Sequence, residues 1–244
     1  MTWKEVQALG REEVVLIPTG SVEQHGSHLP VFTDSMLATA VAEAVEAALP
    51  EHVLLTPTHW LGASAHHLGF AGTLTAGFAD YMTALHQVVD SLKRHGFWKF
   101  FIVNAHGGNS EPNGIVCRQV KHEDPKILIG HANYYTYAAE TIRTQLEGPF
   151  KEIRHACEAE TSLMLHLFPS HVRSDLLRDD GLTPDPPVRG MSHPFNEITQ
   201  EGSLGFATLA SAAKGKAIFE AARDGLVTDM RALSEGYVLR SVVP

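Results

Sequence analysis

The sequence predicts a three-layer α/β/α sandwich with a mostly parallel central sheet, on two observations. Short apolar runs such as residues 14–18 (VVLIP) and 98–103 (WKFFIV) close on breaks rich in Gly, Pro or Asn, as buried strands do. Between them lie longer stretches with apolar residues at helical spacing, and a chain that alternates strand and helix builds a parallel sheet covered on both faces. With 244 residues, 44% of them hydrophobic, the chain can bury the core of one domain spanning residues 1–244.

The elements follow in order. Residues 14–18 form the first strand, ending at Pro18-Thr19-Gly20. From Asp34 the Ala-rich pattern SMLATAVAEAVEAALP predicts a helix capped by Asp34 or Ser35 and stopped by Pro50. Residues 53–58 give a second strand, and 62–77, with four glycines and the pair His66-His67, a loop. Residues 78–95 form an amphipathic helix closed by Gly96, and 98–103 a third strand that stops at Asn104-Ala105-His106-Gly107-Gly108-Asn109. A helix over 110–122, a fourth strand over 126–133 and helices over 134–146, 156–168 and 214–231 complete the pattern. The stretch 175–205, rich in Asp, Pro and Gly, reads as a long surface or lid loop.

Composition narrows the function classes. The 19 Lys and Arg against 28 Asp and Glu leave a net charge of -9, which speaks against a nucleic-acid partner, because phosphate-backbone binding needs a basic footprint. Residues 1–11 lack the apolar core and cleavage site of a signal peptide, and no stretch approaches the roughly 20 apolar residues of a membrane span. A cytoplasmic location without membrane contact is expected, and with it reduced thiols at Cys117 and Cys157. The unusual count is 15 histidines, His being the commonest metal ligand.

Three segments carry candidate chemistry. Glu23 and His25 point to one side if their segment is extended, and an O/N donor pair suits divalent ions such as Zn, Mn or Fe, with Asp34 able to bridge two of them. The same residues also read as a polar turn with Asp34 as a helix cap. At the end of the third strand His106 is a plausible ligand, and Gly107 and Gly108 leave backbone N–H groups free to face a ligand; a tight turn with a solvated His is the alternative. Glu158 and Glu160 open a helix, where acids are favoured by the dipole alone, and His155 before them is either a general acid or base or a surface His.

Taken together and in this order, the segments resemble the creatininase (creatinine amidohydrolase) family. The resemblance lies in G-S-V-E-Q-H-G-S-H-L-P at 20–30 with Asp34, N-A-H-G-G-N at 104–109 and H-A-C-E-A-E-T-S at 155–162. Weaker echoes are G-A-S-A-H-H-L-G-F-A-G-T at 62–73, and G-S-L-G followed by A-A-K-G-K near the end. It implies a creatininase-like α/β/α fold, a homo-oligomer that is often a hexamer, and two divalent metal ions hydrolysing a C–N bond of a small-molecule amide or cyclic amide. By position, Glu23, Asp34 and His106 match the ligands of one ion, and His25 with the shared Asp34 those of the second, which Glu160 completes.

On this reading His155 is expected to hand a proton to the leaving nitrogen and the Gly107 and Gly108 N–H groups to hold the oxyanion, while His67 reads either as lining the substrate pocket or as a structural histidine. Three departures stand out. Gly108 replaces a family glutamate and Lys151 a substrate-packing tryptophan, which turn the expectation away from creatinine, and Cys157 replaces a usual glycine, a change expected at the pocket floor rather than at the metals. Specificity is expected from the 175–205 loop with Trp60, Phe70 and His67. Alternatives within the family are a formyl-amino pyrimidine, a modified sugar or cyclitol, or a peptide precursor; outside it, a metal-dependent binding protein without turnover.

Overall fold

The structure, a computed structural model, describes residues 1–181 and 190–237. Four strands, β1 (Val14–Thr19), β2 (Val53–Leu55), β3 (Lys99–Asn104) and β4 (Leu128–Asn133), form a sheet of order β2-β1-β3-β4 in which every pairing is parallel. Side chains alternate between its faces. Val14 and Leu16 of β1 and Val103 of β3 join one cluster with α2 (Thr33–Ala48), α7 (Glu158–Leu167) and α9 (Ala212–Ser234). Val15 and Ile17 of β1, with Phe100 and Ile102 of β3, join the other with α3 (Phe78–Arg94) and α4 (Ser110–Glu123). The expected three layers are present.

The chain leaves β1 through α2 to reach β2 on one side, then crosses through α3 to β3 on the other. The loops after β1 and β3 therefore diverge at their carboxyl ends, the switch point where open α/β sheets bind ligands. Among the described residues no helix is long and apolar enough to cross a membrane. Cys117 and Cys157 are both free and buried.

Several local expectations change. The helix expected to start from a cap at Asp34 begins one residue earlier, because Thr33 closes a turn onto the Pro30 carbonyl, through N at 3.1 Å and Oγ1 at 2.6 Å. Asp34 is left inside the first turn, free of capping duty. The second strand stops at Leu55, since Pro57 has no N–H, though His59 N to Pro18 O at 2.9 Å resumes the contact. The helix expected over 134–146 breaks at Ala138 into α5 (Tyr134–Tyr137) and α6 (Ala139–Gln145). An unexpected helix, α1 (Trp3–Ala8), opens the chain on a capping box of Thr2 and Glu5. Within the expected loop 175–205, residues 182–189 lie outside the described residues, and α8 (Phe195–Ile198) is helical. Its base is tied down, Leu204 N donating to His155 O at 2.7 Å and Gly205 N to Asp180 O at 2.9 Å.

Helices α7 and α9 approach closely at Gly215, where a Cβ would sit 1.9 Å from the Ser162 carbonyl oxygen. Gly215→Ala must push the helices apart. We expect a loss of about 1–3 kcal/mol or more, read from a lower urea midpoint at unchanged slope.

Candidate metal centre

Two asparagines of the 104–109 motif build the frame. Asn104 Oδ1 accepts from His106 N at 3.2 Å and Thr19 Oγ1 at 2.9 Å, while its Nδ2 donates to the His106 carbonyl and to Asn133 Oδ1 at 2.7 Å. The turn after β3 is thereby held with His106 at its tip. Asn109 donates to Gly20 O and accepts from Ala63 N, both at 2.9 Å, tying the loops after β1 and β2 to that turn.

On this frame Asp34 meets the strand loops from α2. Its Oδ1 lies 3.1 Å from His25 Nε2, and its Oδ2 lies 3.2 Å from His106 Nδ1 and 2.7 Å from Ser21 Oγ. Glu23 Oε2 is 3.1 Å from His106 Nδ1, and Oε1 is 3.2 Å from His67 Nε2 and 3.5 Å from His155 Nδ1. Glu160, in the first turn of α7, accepts from Ala156 N at 2.5 Å and offers a carboxylate oxygen beside His25 and His155. Ala156 itself is left-handed, with φ of 47°, a conformation costing a non-Gly residue about 1 kcal/mol and often found where a site imposes it.

The far nitrogens of the rings fix the near ones. His25 Nδ1 faces the Glu23 carbonyl at 3.1 Å and His106 Nε2 the Ala63 carbonyl at 3.2 Å; a carbonyl only accepts, so those nitrogens carry protons. His25 Nε2 and His106 Nδ1 are thus turned toward the carboxylates, an orientation in which they could serve as ligands. Gln24 completes the network. Its Oε1 accepts from Gly26 N at 2.9 Å, and its Nε2 donates to Gly202 O and to His67 Nδ1, both at 2.8 Å. Gly202 is required there, for a Cβ would fall 1.9 Å from the Gln24 oxygen. His155 Nε2 donates to the Gln24 carbonyl at 2.6 Å, leaving Nδ1 toward the cavity.

Electrostatics follow from three buried carboxylates among imidazoles. Burial opposes ionisation of Asp34, yet His25 and His106 hold its pKa well below the usual value; Glu23 is lowered against the same burial, by His106 and His67. Burial works against the charged form of His25 too, but Asp34 raises it to about 9, and Glu23 and Asp34 push His106 well above normal. Glu160, desolvated beside Asp34, rises to about 8 despite His25. Burial and the neighbouring His25 keep His155 neutral, and burial lowers His67 to about 3.

The donor set fits divalent cations. Glu23 Oε2 is buried without a directed hydrogen bond despite its approach to His106 Nδ1, so a cation there would complete its coordination. The mixed O/N set suits Zn, Mn or Fe, and the imidazolium charges stand where cations would.

The sequence-predicted residues Glu23, Asp34, His67, His106, Gly107, Gly108, His155 and Glu160 all line one cavity of about 280 Å³, and His25 is buried behind its wall. Trp60 and Phe70 do not line it; Trp60 is 45% exposed, and the turn Ala65–His67 that buries His67 carries Phe70 away. Sequence reasoning missed His66, Tyr135, Arg154 and Phe195 on the wall and Gln24 behind it. Phe195 stacks on His67 at 4.1 Å, and its signal was available as the single aromatic of 175–205. Gln24 had one as well, lying between two candidate ligands on an extended segment and so pointing the other way.

A model of the creatininase (creatinine amidohydrolase) family matches residues 1–230. The mycofactocin precursor peptide peptidase of Mycobacterium tuberculosis is 34% identical over 225 residues, covering 87% of this chain and 82% of that protein. The 3-dehydro-scyllo-inosose hydrolase of Thermotoga maritima is 29% identical, covering 100% of this chain and 85% of the other. Creatininase solved in a manganese form and, as a mutant, in a zinc–zinc form superposes with a TM-score of 0.80 at 26% identity, covering 95% of each chain.

Two outcomes are expected. His25, titrating near 9, and Glu160, near 8, are protonated at pH 7 and must release protons to ligate a cation. Metal affinity should therefore climb as pH rises from 6 to 9, with proton release visible in calorimetry across buffers of different ionisation enthalpy. Separately, a Cβ at Gly108 would sit 2.5 Å from both Ala63 O and His106 Nε2, whereas one at Gly107 meets nothing within 4 Å. Gly108→Ala should lower bound metal in elemental analysis, and Gly107→Ala should not.

Proposed function

The chain belongs to the creatininase family of metal-dependent hydrolases, and from that premise we propose that it cleaves the C–N bond of a small non-peptide amide or cyclic amide. Glu23, Asp34 and His106 would hold one divalent ion, and His25, Asp34 and Glu160 the other. The observation that carries the assignment is Asp34, whose two oxygens face His25 and His106 separately, as a carboxylate shared between two ions must. When bound, such ions supply an activated water and polarise the scissile carbonyl.

The protein's own groups have distinct tasks. His155, neutral with Nδ1 open to the cavity, takes a proton from the nucleophile and returns it to the leaving nitrogen. The Gly107 and Gly108 N–H groups, on the same wall as His106, would meet the oxyanion. His67 and Phe195, stacked on each other at 4.1 Å, form an aromatic part of the wall against which a planar substrate would pack. Arg154 also lines the cavity, its guanidinium held over the Phe150 ring at 4.0 Å and 3.0 Å from Glu152.

A cavity of about 280 Å³ supports a small molecule. Creatinine fits poorly, because Lys151 turns its Nζ to the Leu146 carbonyl and no tryptophan lines the cavity. The peptidase relative supports a second reading, cleavage of a peptide bond in a precursor peptide.

Glu23→Ala and His106→Ala should each lower hydrolysis by roughly a thousandfold or more and reduce bound metal, since the ions supply the nucleophile. Far-UV circular dichroism should stay unchanged. Turnover across a panel of lactams, formamides, cyclitol ketones and short peptides separates the two readings, and full activity of a metal-free variant would refute both.

A further inference from the structure

We infer that His66 is a further metal ligand, one that gives the Glu23 half of the centre a second imidazole. This rests on the metal-dependent reading above. His66 lies in the turn Ala65–His67, half-buried, with its ring on the cavity wall. Among the described residues it has no hydrogen-bond partner, whereas His25, His67, His106 and His155 are each held by at least one. Its nitrogens are not among the buried unpartnered atoms, so they are open to the cavity with no protein hydrogen bond to break before they meet a cation.

Position agrees. One donor atom each of His66, His106 and Glu23 lie within 4.8 Å of one another. Two ligands about 2.1 Å from one ion lie no more than about 4.2 Å apart, so a shift of about 0.6 Å suffices. An imidazole without a hydrogen bond can make that shift by side-chain rotation. Its ring stacks nearly parallel to that of His106, at 5.5 Å and 14°, which keeps the two imidazoles beside each other.

Gly108 makes the room. A Cβ at that position would fall 2.9 Å from His66 Cε1, so the glycine lets the ring stand against the His106 turn. With His66 added, this half carries two imidazoles and two carboxylates. That set favours Zn(II) or Co(II) over Mg(II) or Mn(II), which prefer all-oxygen surroundings.

The test is a cobalt titration of the metal-free protein, read by visible d–d absorption and by equilibrium dialysis, for wild type, His66→Ala and His66→Phe. The phenylalanine variant keeps a ring to stack on His106 and removes the nitrogens. Both variants should bind one of two cobalt ions roughly ten-fold or more weakly, with an altered band, while their metal-free melting curves overlay that of wild type. Wild-type affinity and band in both variants, or a loss confined to His66→Ala, would overturn the assignment. A wild-type protein that takes up no cobalt would instead overturn the metal-centre reading itself, and this assignment with it.

Discussion

The Asp34 carboxylate is buried, 2% exposed, between His25 and His106, and most of the molecule's unusual features answer to it. An unpaired charge at that depth costs several kcal/mol, and Glu23 and Glu160 add two more acids within the same dry volume. Glu160 avoids that cost by keeping its proton, whereas Asp34 and Glu23 meet it with positive charge. In the absence of cations the imidazoliums of His25 and His106 supply it, which is why their pKa values rise against strong burial. The same carboxylate charges would attract divalent ions, with which the protons on these imidazoles would compete.

Carboxylates from three separate segments can converge only if the backbone under them is fixed. Asn104, Asn109 and Gln24 do this by spending every amide hydrogen-bonding atom on loop backbone, on neighbouring strands or on a ring nitrogen, and such satisfied polar networks define one geometry rather than several. Glycines permit the close approaches. Gly202 seats against Gln24, and Gly62, whose Cβ would lie 2.6 Å from the Gly20 carbonyl, lets two loops touch. The topology explains why these loops meet, for β1 and β3 are neighbours whose connections leave toward opposite faces.

Much of this was legible in the chain. The apolar runs located the four strands, and the parallel order followed from the helices between them, because a parallel neighbour needs a crossover. The motif residues proved to line or back one cavity, as the resemblance to creatininase implied. Failures fell where local signals were overridden. Asp34 looked like a cap because Asp favours that place, but the Thr33 turn supplied the start and released the side chain. Trp60 and Phe70, expected to help set specificity, are not among the residues that line the cavity.

By itself, then, the sequence determined the fold class and the chemical kind of the centre, since periodicity and residue type are local properties that survive without coordinates. It could not determine which far-apart groups share a surface. Phe195 stacks on His67 from a segment whose base is pinned by hydrogen bonds of Leu204 to His155 and of Gly205 to Asp180. Ring tautomers and the pairing of each Asp34 oxygen with a different histidine arise from distances of about 3 Å between segments far apart in the chain. Such contacts are properties of packing, and tertiary structure alone decided them.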